Sequence, residues 1–200
     1  MNVRKLFSVS FYRRNKEKER ELIEYDYKFN AAFRGENGRL PKSFLKSYEW
    51  ETVKAYRKFQ ANKGNIWRRY YSNKLNRLEE KSGIHFEGND SIGKGLIIGH
   101  WGRIIFNGQA HFGAQLFVTH NVTVGRDIRG KHKGVPTFGD RVCIRTNSTV
   151  VGNIHIGNDV LIAPNTFVNF DVPDHSIVIG NPATIHHRDN ATEGHIPEVD

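Results

Sequence analysis

Two histidines stand out by their spacing. His100 lies two positions after the apolar residue Ile98, and His120 lies two positions after Val118. An imidazole titrates near 6.5 and can take the proton of a hydroxyl as its oxygen attacks. His100 is therefore a candidate general base, and His120 a candidate for binding an acceptor or steadying charge beside it. Trp101 follows His100 directly and offers an indole face on which the CH groups of a sugar ring can stack. The other histidines, at 85, 111, 132, 155, 175, 186, 187 and 195, are scattered and read as surface or corner residues. The single cysteine, Cys143, excludes a disulfide framework and a Cys-based zinc cluster. It lies between Val142 and Ile144 and reads as a core or corner residue.

The elements that position these residues follow from an unusual period. Apolar residues recur every sixth position at Ile92 and Ile98, then at Phe106, Phe112, Val118 and Val124, then at Phe138, Ile144, Val150, Ile156, Ile162 and Val168. A companion set two residues earlier includes Ile104, Ala110, Leu116, Val122, Val142, Ile154 and Val160. Neither a helical period of 3.6 nor a strand period of 2 explains this. A six-residue period fits a triangular coil of three short parallel strands, each inward side chain stacking on its equivalent one turn later. Gly and Asn recur beside the anchors because tight corners need positive φ. The period slips twice. Eight residues separate Ile98 from Phe106, so two extra residues bulge after His100, and the fourteen between Val124 and Phe138 leave Arg126–Pro136 as a projecting loop. Allowing for the slip, His100 and His120 stack in adjacent coils, about 5 Å apart at their backbones.

The repeat, together with its closing stretch DVPDHSIVIGNPATI, resembles the left-handed parallel β-helix of hexapeptide-repeat acyltransferases. The segment GLIIGHWGRIIFNGQAHFG and the helices before it resemble the serine acetyltransferase branch, which includes relatives thought to acetylate sugars and polysaccharide units. The likeness covers residues 83–187 well and residues 1–82 in kind only. It implies acetyl-CoA as donor, no metal, direct attack without a Ser or Cys nucleophile, and a homotrimer with coenzyme A in a groove between coils. It makes His100 the catalytic histidine. Arg126, Arg129, Lys131 and Lys133 on the loop, with Arg145 further on, are then candidates to meet coenzyme A phosphates.

Departures from the branch bear on the acceptor. An aspartate that precedes the catalytic histidine is here Gly99, and a carboxylate that orients the imidazole aligns with His85. A loop arginine and second histidine align with Gly134 and Val135. With this amino-acid clamp missing, the sequence favours a carbohydrate hydroxyl as acceptor, bound by Trp101, His120, His85 and Glu87. Glu87 or Asp90 is left to orient His100. The alternatives are serine O-acetylation, N-acetylation of a nucleotide sugar, and a non-enzymatic glycan-binding scaffold. A zinc site like that of the carbonic anhydrase branch is disfavoured, because His111, nine to eleven residues from His120 and His100, falls on a different face from them.

The chain has 200 residues, 38% of them hydrophobic, enough for one core and an accessory element. No apolar run is long enough to span a bilayer, and the opening residues lack a leader-like apolar stretch, so the cytoplasm is expected. Residues 1–90 carry 21 lysines and arginines against 12 carboxylates, which accounts for the whole net charge of +9. This basic part reads as a solvated helical face, with weak membrane-surface association as a further option and no nucleic acid expected. Helices are expected over 15–34, from Pro41 to about Lys63, and from Asn65 to Lys81, with Trp67 and Tyr70 or Tyr71 facing inward. The expected organisation is a helical region over 1–82, a β-helix over 83–187 and a tail over 188–200.

Overall fold

The computed structural model describes residues 9–35 and 37–199, with side chains from residue 13 onward. The reading of the opening residues as free of a leader falls partly outside them. Helix α1 (Val9–Arg34) begins six residues earlier than its apolar spacing implied. The second expected helix is split. Phe44–Lys46 form one 3₁₀ turn, Ser47 is extended at ψ 156°, and α2 (Tyr48–Ala61) starts afresh. The Ser47 hydroxyl accepts the Trp50 N–H at 3.2 Å, and Glu49 and Glu51 complement the N-terminal dipole, so Ser47 rather than Pro41 opens the helix. Helix α3 (Trp67–Ser82) ends at Gly83 with φ +71°. Of the alternatives Tyr70 and Tyr71 it is Tyr71 that packs against the core, whereas the expectation for Trp67 is corrected, Trp67 and Tyr70 lying outside. Both are exposed, since α3 packs on α2 and the first strand along one narrow stripe that fully buries only Leu75 and Ser82.

From residue 84 the chain winds as a three-faced parallel β-helix. Face one stacks β1 (Ile84–His85), β3 (Ile104–Phe106), β6 (Thr123–Gly125), β9 (Thr149–Val151) and β12 (Phe167–Val168). Face two stacks β4 (His111–Phe112), β7 (Thr137–Phe138) and β10 (His155–Ile156). Face three stacks β2 (Leu96–Ile98), β5 (Leu116–Val118), β8 (Val142–Ile144), β11 (Val160–Ile162) and β13 (Ser176–Gly180), and β14 (Ala183–His187) adds antiparallel to β13. The six-residue anchors all point into the core, none more than 5% exposed. Ile98, Val118, Ile144, Ile162 and Val178 form one continuous column. At the corner between faces three and one, Asn121, Asn147 and Asn165 each hold positive φ, and their amides bond in a ladder at 3.0 and 3.1 Å.

Face three is buried on both sides. Its outward residues Ile97, Phe117, Cys143 and Leu161 form a second apolar cluster, covered by Phe29 of α1 and by Ile196 of the C-terminal tail. The Asp159 carboxylate holds that tail, accepting from the Ala191 and Thr192 N–H groups and the Thr192 hydroxyl.

The helices close the open edge of the first coil with side chains. Asn30 donates to the Leu96 carbonyl, Arg34 to that of Ile98, Arg57 to those of Ile92 and Gly93, and Gln60 to those of Asp90 and Ile92. The Asp26 carboxylate accepts the Gly95 and Leu96 N–H groups and pairs with Arg57, both side chains having no solvent exposure. A bare strand edge would leave these groups unpaired in a packed interface.

Candidate active site

His100 and His120 meet at the corner where face three turns into face one. Their ring centroids lie 5.9 Å apart, edge to face, as the pairing of Ile98 with Val118 dictates. The two extra residues after His100 form a bulge. Gly102 sits there at φ +135°, where a Cβ would come within 3.2 Å of the His120 Cβ, and its N–H donates to the Ser82 carbonyl at 2.9 Å.

The bulge is gripped from both sides by the helical region. Before His100, Arg34 at the end of α1 donates to the Ile98 carbonyl at 3.0 Å. After it, the Glu49 carboxylate of α2 accepts the Trp101 N–H at 3.1 Å. Burial lowers the Arg34 guanidinium to about 10, with the Glu49 charge pulling the other way. Tyr48 packs edge to face on the exposed Trp101 ring at 6.5 Å. Arg34, Tyr48 and Glu49 were invisible as site residues in the sequence. Their one signal is the capping pattern that opens α2 at Ser47, which fixes where Tyr48 and Glu49 stand.

Of the expected acceptor residues, Trp101 and His120 come together at His100. His85 lies instead on face one beside Ile105, and Glu87 occupies an exposed corner at φ +48°. The expectation that Glu87 or Asp90 orients His100 is corrected. Asp90 is held by Lys63 at 3.2 Å and Arg68 at 3.0 Å, whose bonds outweigh its burial and keep its carboxyl low. Among the described residues, no side chain hydrogen-bonds the His100 ring. Gly99 cannot accept a carboxylate without rearrangement: a Cβ there would meet the Phe117 ring at 2.8 Å and the Thr119 methyl at 3.0 Å.

The basic residues expected to meet coenzyme A divide between two corners. Arg126, Arg129, Lys131 and Lys133 are exposed on the loop between faces one and two, which the Asp127 and Gly134 backbones close at 2.9 and 3.0 Å. Arg145 stands at the His100 corner on later coils, its guanidinium 5.6 Å from the Phe117 ring. Within the chain the loop cations and Arg145 stand at different corners. Among the described residues, no group of three His, Cys, Asp or Glu side chains is placed to hold a metal, and no helix is long and apolar enough to cross a membrane.

No family model matches the chain. Serine acetyltransferase 4 of Arabidopsis thaliana is 35% identical over 111 residues, which are 54% of this chain and 31% of that protein. The serine acetyltransferase of Neisseria gonorrhoeae superimposes with a TM-score of 0.75 at 23% identity, covering 92% of this chain and 75% of that one. A serine acetyltransferase solved in complex with CoA superimposes with a TM-score of 0.70 at 18% identity, over 88% of this chain and 74% of its own. The chain spans between 28% and 60% of the length of the curated relatives it matches. These relatives are serine acetyltransferases, and the expectation of a carbohydrate acceptor is corrected on that ground. That expectation rested on side chains missing from the loop and beside His100. It had no means of seeing Arg34 and Glu49, which the helices bring to the two sides of the His100 bulge.

Proposed function

From its hexapeptide-repeat β-helix fold of the serine acetyltransferase branch, we propose that this chain transfers an acetyl group from acetyl-CoA to the hydroxyl of serine or a closely similar hydroxy amino acid. The observation that carries the reading is His100, an unpaired imidazole at a coil corner, set on a bulge that two helices hold and facing His120 at 5.9 Å.

His100 takes the hydroxyl proton as the oxygen attacks the thioester carbonyl. The tetrahedral oxyanion is steadied by a backbone N–H, and its collapse breaks the C–S bond. His100 returns the proton to the leaving thiolate, giving O-acetylserine and free coenzyme A. His120 stands beside the reacting oxygen and contributes a donor to the acceptor. The coenzyme A phosphates meet the cations at Arg126, Arg129, Lys131 and Lys133, and Arg145 contributes from a neighbouring edge. Because the loop cations and Arg145 lie on different corners, a homotrimer with acetyl-CoA between adjacent protomers belongs to the same proposal.

The test is thiol release from acetyl-CoA with serine, with threonine and with a set of monosaccharides, beside His100→Ala. Release with serine that falls by roughly 100-fold or more in His100→Ala supports the reading. Release with a monosaccharide and not with serine overturns the acceptor, and an unchanged rate in His100→Ala overturns the base.

A further inference from the structure

Four side chains of the helical region cap carbonyls at the edge of the first coil, and one of them is incompletely used. Arg57 is saturated: Nε and both terminal nitrogens are engaged by Asp26, Gln60 and the Ile92 and Gly93 carbonyls. The Asn30 amide bridges the Asp26 and Leu96 carbonyls, and the Gln60 amide bridges those of Asp90 and Ile92. Arg34 donates one terminal nitrogen to the Ile98 carbonyl, while its Nε–H is buried with no hydrogen-bond partner. Its guanidinium carbon lies over the Phe44 ring, 4.1 Å from the centroid. It also lines an open cavity of about 370 Å³ together with Arg39, Leu40 and Pro41.

We infer that Arg34, with Arg39 across the cavity, is the carboxylate-binding subsite for the acceptor, supplied by the helical region in place of a clamp on the projecting loop. The inference rests on the acceptor class proposed above. Three observations carry it. Only one Arg34 terminal nitrogen is engaged by the described residues, so the side chain that lines the cavity keeps a donor for a ligand oxygen. A guanidinium seated over an aromatic ring is held in place, and its planar fork suits a carboxylate. And the Arg34 anchor point, the Ile98 carbonyl, lies two residues before His100, on the strand that leads into the bulge. The projecting loop has no room for the same role at Gly134, where a Cβ would fall 2.8 Å from that of Asn153.

Calorimetric titration of the full chain with serine and with serinamide, which lacks the carboxylate, tests this. The wild type is expected to bind serine roughly 10- to 100-fold more tightly than serinamide, as hydrogen bonds to a charged group imply. Arg34→Gln should bring serine down to the serinamide level and leave serinamide unchanged. Arg39→Gln, at the exposed wall, should give a smaller loss in the same direction and covers the case in which Arg34→Gln fails to fold. A serine-to-serinamide ratio unchanged in both variants overturns the subsite while the proposed function stands. If serine does not bind but glycerate does, and loses affinity in Arg34→Gln, the acceptor reading falls and the subsite stands. If neither serine nor glycerate binds the wild type, both are overturned.

Discussion

Glu49 accepts the backbone N–H of Trp101 at 3.1 Å across 52 residues of sequence, and so ties the first turn of α2 to the residue that follows His100. The carboxylate does not hydrogen-bond the imidazole, and it acts by fixing the bulge that carries it. Removing it should loosen His100 without dismantling the fold. Glu49→Ala is expected to lower kcat roughly 10- to 100-fold, as small misplacements of a reacting group do. Glu49→Gln, whose amide oxygen still accepts, should keep most of the rate, and the KM for acetyl-CoA should hold in both. Equal rates for all three proteins would show that the bulge is held by other contacts.

Gly99 is closed to larger residues by its neighbours. Gly99→Asp should destabilise the chain by about 1–3 kcal/mol, the usual cost of overpacking, read from urea unfolding. Trimming the obstructing ring as well, in Gly99→Asp with Phe117→Leu, should recover part of that loss. A Gly99→Asp chain as stable as the wild type would mean that Phe117 and Thr119 yield freely.

One carboxylate, that of Asp159, anchors the start of the tail that covers face three. Burial disfavours the Asp159 charge, but the bonds from Thr192, His175 and the Ala191 N–H outweigh it and bring the carboxyl down to about 2. An unfolded aspartate titrates near about 3.9. The contribution of Asp159 is thus complete above about pH 4 and lost as the pH falls towards 2. His175, raised chiefly by its bond to Asp159, has the opposite sign: its share is present below about 6.5 and lost as the pH climbs through its folded value. Hydrogen-exchange protection of the Ala191 and Thr192 amides, corrected for intrinsic rate, should be greatest between these limits and low throughout in Asp159→Asn. Protection that ignores pH would remove Asp159 as the anchor.

Cys143 is sealed beneath that tail. Burial pushes its thiol up to about 12, against a smaller opposing pull from Arg145. A maleimide should leave it unlabelled in the native chain and label it fully in denaturant. Asp159→Asn, with the tail released, should give an intermediate rate. Rapid labelling of the native wild type would show that the tail does not cover face three in solution.

The β-helix was legible because its information is local and repeated. Ile92 to Val168 mark each inward position at a fixed interval, and the breaks in that interval located the His100 bulge and the Arg126–Pro136 loop. The stacking of His100 on His120 followed from the same count. The helical region was read less well because a 3.6-residue stripe says which face is apolar but not how much of it a partner covers. Trp67 was expected inside for that reason and lies outside, and the stripe left Tyr70 and Tyr71 undivided where only Tyr71 packs on the core. Arg34 and Glu49 were out of reach altogether, since no period links them to residues 64 and 52 positions away. An acceptor inferred only from the repeat was inferred from half of the site.

The closing of both ends of the coil stack has a consequence for growth. A column of parallel rungs whose last strand is bare can template the next molecule, and the next after that, into a fibre. Here the first rung spends its carbonyls on Asn30, Arg34, Arg57 and Gln60, and on face three β14 runs antiparallel against β13, so the direction of the hydrogen bonds is reversed. At the first of these edges a second chain finds the carbonyls spent, and at the last it meets an antiparallel strand in place of a parallel rung. On face three the helices and the final strand mark a beginning and an end on a motif that has neither of its own.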